Sequence, residues 1–500
     1  MSKRRPLSDE ERALWSGLAR SIKPLGRTKT STKQTASAAG EAPAAPLPAP
    51  VPHAATRPVA APAMQSLPLA PFDRRLKQRV ARGHDAIDAR FDLHGLTQSE
   101  AHAALLRFLR RAQADGACVI LGSATPSLES RYNAEREKYT LIELPGRIEA
   151  RPMPTIELID MREEFLETRQ QATFSRKLIE ALGARMENGE QTIVLLNRRG
   201  FSSFVACRAC GERINCQNCS LTLTYHKRDR RLMCHYCGYA EKVPSLCPKC
   251  QSEHIYFLGV GSEKVEEELH RAFPVARIAR LDRDTVTGKR QYETILNEFR
   301  EGNYDVLVGT QMIAKGHDIP NVTLVGVVSA DIGLGMPDFR AAERTFQLLT
   351  QVAGRAGRGS VPGIVLIQTI NPDHYAVRMA AAQDYQAFYQ KELHFRRMMH
   401  YPPFSAMANV LVRAEKKENA LRMSSDLGLL LNPAPEKLKI MGPAEAPVPR
   451  LKNEYRYQFL VKAASRKVLN DLLRRIRAFA LENKWGATAL VIDVDPLTLM

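Results

Sequence analysis

The stretch CRACGERINCQNCSLTLTYHKRDRRLMCHYCGYAEKVPSLCPKC, residues 207–250, holds eight of the chain's nine cysteines. They form four Cys-x-x-Cys pairs: Cys207/Cys210, Cys216/Cys219, Cys234/Cys237 and Cys247/Cys250. Each such turn aims two sulfurs at one point, and two turns make the closed tetrahedral thiolate site that zinc prefers. Eight thiolates therefore predict two zinc ions. Disulfides are the weaker reading, because nothing marks the chain as secreted and a dense cysteine cluster in a reducing compartment reads as metal.

Between the inner pairs, Leu221 to Met233 reads as a hairpin: Leu221, Leu223 and Tyr225 alternate with threonines, Lys227-Arg228-Asp229-Arg230 turns, and Arg231-Leu232-Met233 returns. That hairpin would set Cys216/Cys219 beside Cys234/Cys237 as one site and leave Cys207/Cys210 with Cys247/Cys250 as the other. Pairing in sequence order is the competing assignment. His226, His235 and His254 lie nearby, but four thiolates complete each ion, so these read as surface or packing residues. A site without an open position is structural, and the module's role is then presentation. Lys227, Arg228, Arg230 and Arg231, with Tyr225, Tyr236 and Tyr239, suit phosphate contact and base stacking; a solvated tip is the plain alternative. Cys118, the ninth cysteine, falls in an apolar run and reads as a buried small residue.

Outward from the cysteines the pattern is α/β. Thr192 to Leu196 is a short apolar strand followed by the basic turn Asn197-Arg198-Arg199-Gly200. Past the module come strand Ile255 to Leu258, helix Glu263 to Ala272, strand Ala276 to Leu281, helix Arg290 to Glu301 and strand Asp305 to Val308. Strand Thr323 to Val328, helix Ala341 to Val352 and strand Gly363 to Ile367 complete the series. Alternation of this kind predicts a parallel sheet covered on both faces, with ligands at its strand ends. Beyond Asn371 a helical stretch leads to Tyr401-Pro402-Pro403-Phe404, a stiff linker. Strand Ala408 to Val412, helix Lys417 to Leu430, strand Arg456 to Val461, helix Arg466 to Glu482 and strand Ala489 to Val494 then suggest a small α+β domain. Arg450, Lys452, Arg456, Arg474 and Arg475 could give it a basic face.

The 500 residues carry a formal net charge of +18, which points to an acidic partner, most simply nucleic acid. No run of about eighteen apolar residues suggests a membrane span. The N-terminus has Lys3, Arg4 and Arg5 but no apolar stretch behind them, so a cytoplasmic protein is expected. Residues 1–78 read as a disordered basic, Ala/Pro-rich arm.

Two family resemblances follow. Phe91-Asp92-Leu93-His94-Gly95-Leu96-Thr97 and the amphipathic helix after it, with Ala101, Ala104, Leu105 and Phe108 on one face, resemble the start of an Smr domain over residues 79–116. That family is associated with nucleic-acid binding and nicking. Its later Thr-Gly-x-Gly loop does not follow; Leu121-Gly122-Ser123-Ala124-Thr125 stands there instead, so His94 reads as a turn residue and nuclease activity is not expected. Gly122-Ser123-Ala124-Thr125-Pro126-Ser127-Leu128-Glu129-Ser130 looks like motif III of the PriA family of replication-restart helicases, in superfamily 2, and the chain resembles that family from about Gly116 to Met500. The two likenesses replace each other abruptly at Gly116, the mark either of a fusion or of two genes wrongly joined.

The PriA resemblance implies residues 117–200 as a remnant of the first helicase lobe, with motif III, and the start of the second. It implies a zinc insertion over 201–254, motifs IV to VI over 255–400, and the family's C-terminal domain over 401–500. It favours the nested zinc assignment. In motif V, Gly309-Thr310-Gln311-Met312-Ile313-Ala314-Lys315-Gly316-His317-Asp318, Thr310 and Gln311 would meet DNA phosphate and Gly316 and Asp318 the nucleotide. In motif VI, Gln351-Val352-Ala353-Gly354-Arg355-Ala356-Gly357-Arg358-Gly359, Gln351 would face the nucleotide, and Arg355 and Arg358 would be arginine fingers stabilising a transferring phosphoryl group. Forked or single-stranded DNA, primosome proteins and single-strand-binding protein are the implied partners, and ATP with magnesium the implied cofactor.

One departure matters. These residues contain neither a Gly-x-x-x-x-Gly-Lys-Ser/Thr loop nor an acidic box; Gly288-Lys289 is followed by Arg290. Arginine fingers cannot hydrolyse ATP without a phosphate cradle, so this chain alone should turn over little or none. The readings are therefore a PriA-derived restart protein with a defective ATP site, a non-enzymatic zinc-bearing DNA-binding or primosome-assembly module, or, least favoured, an Smr-type nickase.

Overall fold

The structure, a computed structural model, describes residues 98–116, 122–138, 140–143, 153–197, 203–219, 221–226, 229–258, 262–282, 289–313, 319–357 and 361–499. The arm, the Phe91–Thr97 segment with His94, and Cys118 lie outside them. Contacts divide the chain into residues 1–111 and 112–500. Helix α1 (Gln98–Ala114) turns Ala101, Ala104, Leu105 and Phe108 to its less exposed side.

The second unit begins with α2 (Leu128–Glu135), β1 (Thr155–Asp160), α3 (Met161–Thr168), α4 (Arg176–Glu187) and β2 (Gln191–Leu195). The cysteine module contributes β3 (Ser203–Cys207), β4 (Thr224–His226), β5 (Arg231–Met233), β6 (Ala240–Lys242) and β7 (Ile255–Leu258). Then follow α5 (Ser262–Ala272), β8 (Ile278–Leu281), α6 (Lys289–Arg300), β9 (Val306–Gly309), β10 (Val322–Val327), α7 (Asp331–Leu334) and α8 (Ala341–Ala353). β11 (Ile364–Thr369), α9 (Tyr375–Ala381) and α10 (Tyr385–Met398) complete the helicase-like part. The C-terminal elements are β12 (Ala406–Ala414), α11 (Lys417–Leu431), β13 (Leu438–Leu451), β14 (Glu454–Ala463), α12 (Arg466–Glu482) and β15 (Leu490–Val494).

The largest sheet runs β1-β11-β10-β2-β9-β8, with every pair parallel. Its central strands β2, β9 and β10 are buried at every position, as a sheet covered on both faces requires. One face packs Ile193, Leu195, Leu307, Val325 and Val327 under α8, α9 and α10; the other packs Val194, Val308 and Leu324 against Leu178 and Leu182 of α4 and Leu269 of α5. Ser175 starts α4 by accepting the Leu178 amide at 3.2 Å, an N-cap that fixes where the apolar stripe begins.

One strand falls in a different sheet from the sequence reading. β7 does not join the parallel series; it pairs antiparallel with β3, closing the five-stranded sheet β6-β5-β4-β3-β7 of the cysteine module. Within that sheet β4 and β5 form the expected hairpin, with Tyr225 opposite Leu232.

The C-terminal sheet is β13-β14-β12-β15, all antiparallel. α11 and α12 cover one face; Leu469, Leu472, Leu473 and Ile476 of α12 recur at helical spacing and are buried there with Val410, Val412, Phe459 and Val461. The opposite face, through Met407 and Leu460, lies on the cysteine module.

Candidate metal centres and the strand-end cleft

The local chemistry of the cysteine turns explains their shape. The Gly211 amide donates to the Cys207 carbonyl, Gly238 to Cys234 and Gln251 to Cys247, each at 2.9 Å. Gly211, Gly238 and Gln251 have φ of 76°, 78° and 59°, a left-handed conformation for which glycine is the natural residue. Cys-x-x-Cys-Gly is thus a turn written into the sequence at two of the four pairs.

The ligand atoms of Cys207, Cys210, Cys247 and Cys250 lie within 4.8 Å of one another, and so do those of Cys216, Cys219, Cys234 and Cys237. Cys207 to Cys250, Cys210 to Cys247, and Cys216 to Cys237 are each 3.6 Å between sulfurs. Zinc–sulfur bonds of about 2.3 Å at tetrahedral angles call for sulfurs about 3.8 Å apart. The donor set therefore fits zinc twice. Burial pushes the Cys210 and Cys216 thiols up to about 12. Burial also opposes ionisation of Cys247, but the amides of Cys250 and Lys249 pull it down to about 7. Four thiolates so close together need a cation to hold them ionised.

The histidines pack elsewhere. His235 is buried; its Nδ1 lies 2.9 Å from the Glu445 carbonyl and its Nε2 3.2 Å from Nε2 of His226. Burial lowers His235 to about 4, so it is neutral. The His254 ring stands edge-on to Phe165 at 5.1 Å. Among the tip residues, Lys227 and Arg228 lie outside the described residues, while Arg230 is exposed with φ 50°. Tyr225 rests on Phe257 at 4.4 Å. Tyr236 is not a stacking platform: it is 2 % exposed, and its hydroxyl accepts the Phe339 amide at 3.4 Å.

At the carboxyl ends of β2 and β9, Gln311 Nε2 donates to Asn197 Oδ1 at 3.3 Å, and both line a small pocket with Ile332, Gly333, Arg344 and Thr345. Thr310 follows β9 directly, its amide 3.4 Å from the Leu281 carbonyl. Gly316, Asp318 and Arg358 lie outside the described residues. Gln351 is exposed on the last turn of α8. Arg355 lies just past that helix, near enough to Tyr292 for its charge to act on the phenol, and the Tyr292 hydroxyl donates to the Met312 carbonyl at 3.1 Å. The strand-end loop and the arginine loop thus share one side of the sheet. Gly357 holds the arginine loop close: φ is 66°, its amide donates to the Val322 carbonyl at 3.0 Å, and a Cβ there would lie 2.3 Å from the Gly363 nitrogen.

Sequence reading missed a buried charge cluster. Arg396, 2 % exposed, binds Glu343 at 2.6 Å, Glu392 at 3.1 Å and Glu129 at 3.2 Å; Arg340 binds Glu129 at 2.6 Å. Burial alone would lower the Arg396 pKa, but Glu343, Glu392 and Glu129 raise it above its ordinary value. Glu343 also accepts the Leu128 amide at 3.0 Å. The Ser-Ala-Thr loop is held close by, since the Thr125 carbonyl accepts from Gln347 and the Pro126 carbonyl from Tyr385. No periodicity flags such a cluster, because its members are ordinary helix-surface residue types.

Three protein-family models match the chain. Residues 216–242 match the PriA DNA helicase Cys-rich region domain, 246–360 the helicase conserved C-terminal domain, and 397–497 the primosomal protein N C-terminal domain. Replication restart protein PriA of Bacillus subtilis is 45% identical over 394 residues, which is 78% of this chain and 49% of that protein. The chain carries the C-terminal part of a PriA-family protein. The PriA of Synechocystis is 40% identical over 399 residues, 78% of this chain and 47% of its own length. That of Chlamydia trachomatis is 39% identical over 422 residues, 84% and 55%. The chain spans about half the length of the curated PriA relatives it matches. Its parallel sheet is the helicase C-terminal lobe, and the cysteine module is the PriA zinc ribbon inserted into it, with two zinc sites.

Proposed function

We propose that this chain acts in replication restart, binding branched DNA and offering a surface on which primosome proteins and single-strand-binding protein assemble. The observation that carries this reading is the succession of PriA-type cysteine-rich region, helicase C-terminal domain and PriA-type C-terminal domain in one chain. The net charge of +18 supports an anionic partner. Thr310, Gln311 and the hairpin residues Lys227, Arg228 and Arg230 contact the DNA backbone in this reading. Gly316, Asp318 and Gln351 face an ATP phosphate chain with its magnesium, and Arg355 and Arg358 are aimed at the transferring phosphoryl group. The phosphate cradle would come from residues that this sequence does not contain, so the 500-residue chain works chiefly as a binding and assembly module. Among the described residues no helix is long and apolar enough to cross a membrane, and a cytoplasmic site of action is part of the proposal.

Fluorescence anisotropy with a labelled three-way fork and a duplex of equal length tests this. The fork should bind at least about tenfold more tightly, with affinity falling steeply with salt. Arg230→Ala should weaken both substrates together. Equal affinity for fork and duplex would overturn the assignment to branched DNA.

A further inference from the structure

The two zinc centres have different neighbours: one lies against the helicase lobe, and the other lies against the C-terminal domain, with Tyr236 of its turn also bonded to Phe339 of the lobe. The centre of Cys207, Cys210, Cys247 and Cys250 sits against the helicase lobe. Its turn glycine, Gly211, leaves no room for a side chain, since a Cβ there would lie 2.3 Å from the Ile370 carbonyl. Arg208, within the same turn, lies 4.0 Å over the Tyr256 ring and 5.9 Å over Phe165 of α3. Arg213, just past the turn, is drawn electrostatically to the buried Asp331 of α7.

The centre of Cys216, Cys219, Cys234 and Cys237 sits against the C-terminal domain. Cys216, Cys219 and Cys234 share a core with Tyr401, Met407, Leu460 and Leu499. The Cys234–Gly238 turn is itself the docking surface. The His235 ring meets the Glu445 carbonyl, the His235 carbonyl accepts from Gln458 Nε2 at 2.8 Å, and Gly238 lies against Pro443 and Ala444. Phe339 of the lobe stacks on Tyr401 at 4.5 Å beside it. The ion ties this turn to the Cys216/Cys219 turn and so fixes where it stands. The position of this turn is what the C-terminal sheet meets.

We propose that the two centres divide the work of holding the molecule together. The Cys216/Cys219/Cys234/Cys237 centre is the joint on which the C-terminal domain docks, and the Cys207/Cys210/Cys247/Cys250 centre anchors the module to the helicase lobe. Loss of the first frees the C-terminal domain; loss of the second leaves it docked on the module. The inference rests on the zinc sites and the packing and needs no DNA or nucleotide.

The test uses the full chain with both zinc ions bound. Hydroxyl-radical footprinting with mass spectrometry reads the exposure of Met407 and Leu460, which are 0% and 2% exposed when docked. Cys219→Ser/Cys234→Ser and Cys210→Ser/Cys250→Ser should each retain one zinc. The first pair should raise labelling of Met407 and Leu460 by about tenfold or more, in keeping with an opened packing surface; the second should leave it near the wild-type rate. Should the first variant fail to fold, stepwise zinc release from the native chain by a mercurial thiol reagent decides. The centre carrying exposed Cys250 should empty first without change at Met407, and labelling should rise with the second ion. Leu460→Asp, which alters only the C-terminal side, should give the same labelling of Met407 with two zinc ions still bound. Labelling that stays low after the Cys216/Cys219/Cys234/Cys237 centre is emptied, or rises equally with either centre, would overturn the proposal.

Discussion

Arg396 carries a positive charge into a position almost without solvent and meets carboxylates from three helices, Glu129 of α2, Glu343 of α8 and Glu392 of its own α10. Removing one partner of such a group strands the others, which costs more than the pair gains. Arg396→Ala should therefore lower unfolding free energy by about 3–5 kcal/mol, measured as a shift in the urea midpoint. Most of the loss should appear in contacts between α2, α8 and α10. The half-exposed pair Arg277–Asp305, at 2.5 Å, is a contrasting case. Its hydrogen bond to Arg277 holds the Asp305 carboxyl below the ordinary carboxylate range. The folded state thus binds the proton less readily than the unfolded state, and the stabilisation is present above the ordinary carboxylate pKa and lost as pH falls through the depressed value. Asp305→Asn should cost under about 1 kcal/mol at neutral pH, and the difference from wild type should shrink only in acid. Urea titrations at a series of pH values check both magnitude and sign. Arg396 and Asp305 were equally ordinary in the sequence; burial, which no single residue announces, separates them.

Among elements, the legible ones were those whose own pattern sufficed. Helix Arg466 to Glu482 was read with the bounds it has, because its apolar stripe and its N-cap Ser465 are local signals. β13 was missed. Its Pro443, Pro447 and Pro449 argue against a strand, and they are tolerated because β13 is the edge of its sheet, where a missing amide leaves no central ladder bond broken. β7 was read as a strand but assigned to the parallel sheet; only its pairing with β3 shows where it belongs. The cysteine turns were legible from their spacing, and the structure adds the left-handed glycines Gly211 and Gly238 that follow two of them. Because thiolate sites of this kind supply folding free energy directly, a strong chelator should release two zinc ions per chain. It should melt the signal of β3 to β7 while the parallel sheet persists, as followed by metal analysis and hydrogen exchange. Retention of the module's exchange protection after both ions leave would contradict this.

In the whole molecule, the cysteine module is wedged between the helicase lobe and the C-terminal domain and touches both through its zinc-bearing turns. The lobe keeps Arg355 beside the strand-end loop, yet the sequence contains no Gly-x-x-x-x-Gly-Lys-Ser/Thr string to hold a phosphate chain. The purified chain should therefore hydrolyse ATP at the level of a buffer blank, with or without forked DNA, in a coupled phosphate-release assay; DNA-stimulated turnover at a helicase rate would refute that. Cysteine spacing, strand and helix periodicity and the strand-end motifs determined the metal, the α/β class and the family likeness without help from coordinates, because each depends on residues near in sequence. Which sheet β7 joins, the burial of Tyr236, the cluster around Arg396 and the body each zinc centre faces were decided only by tertiary structure. Those features arise where segments far apart in the chain exclude water from one another, and a linear pattern carries no record of what its far side will meet.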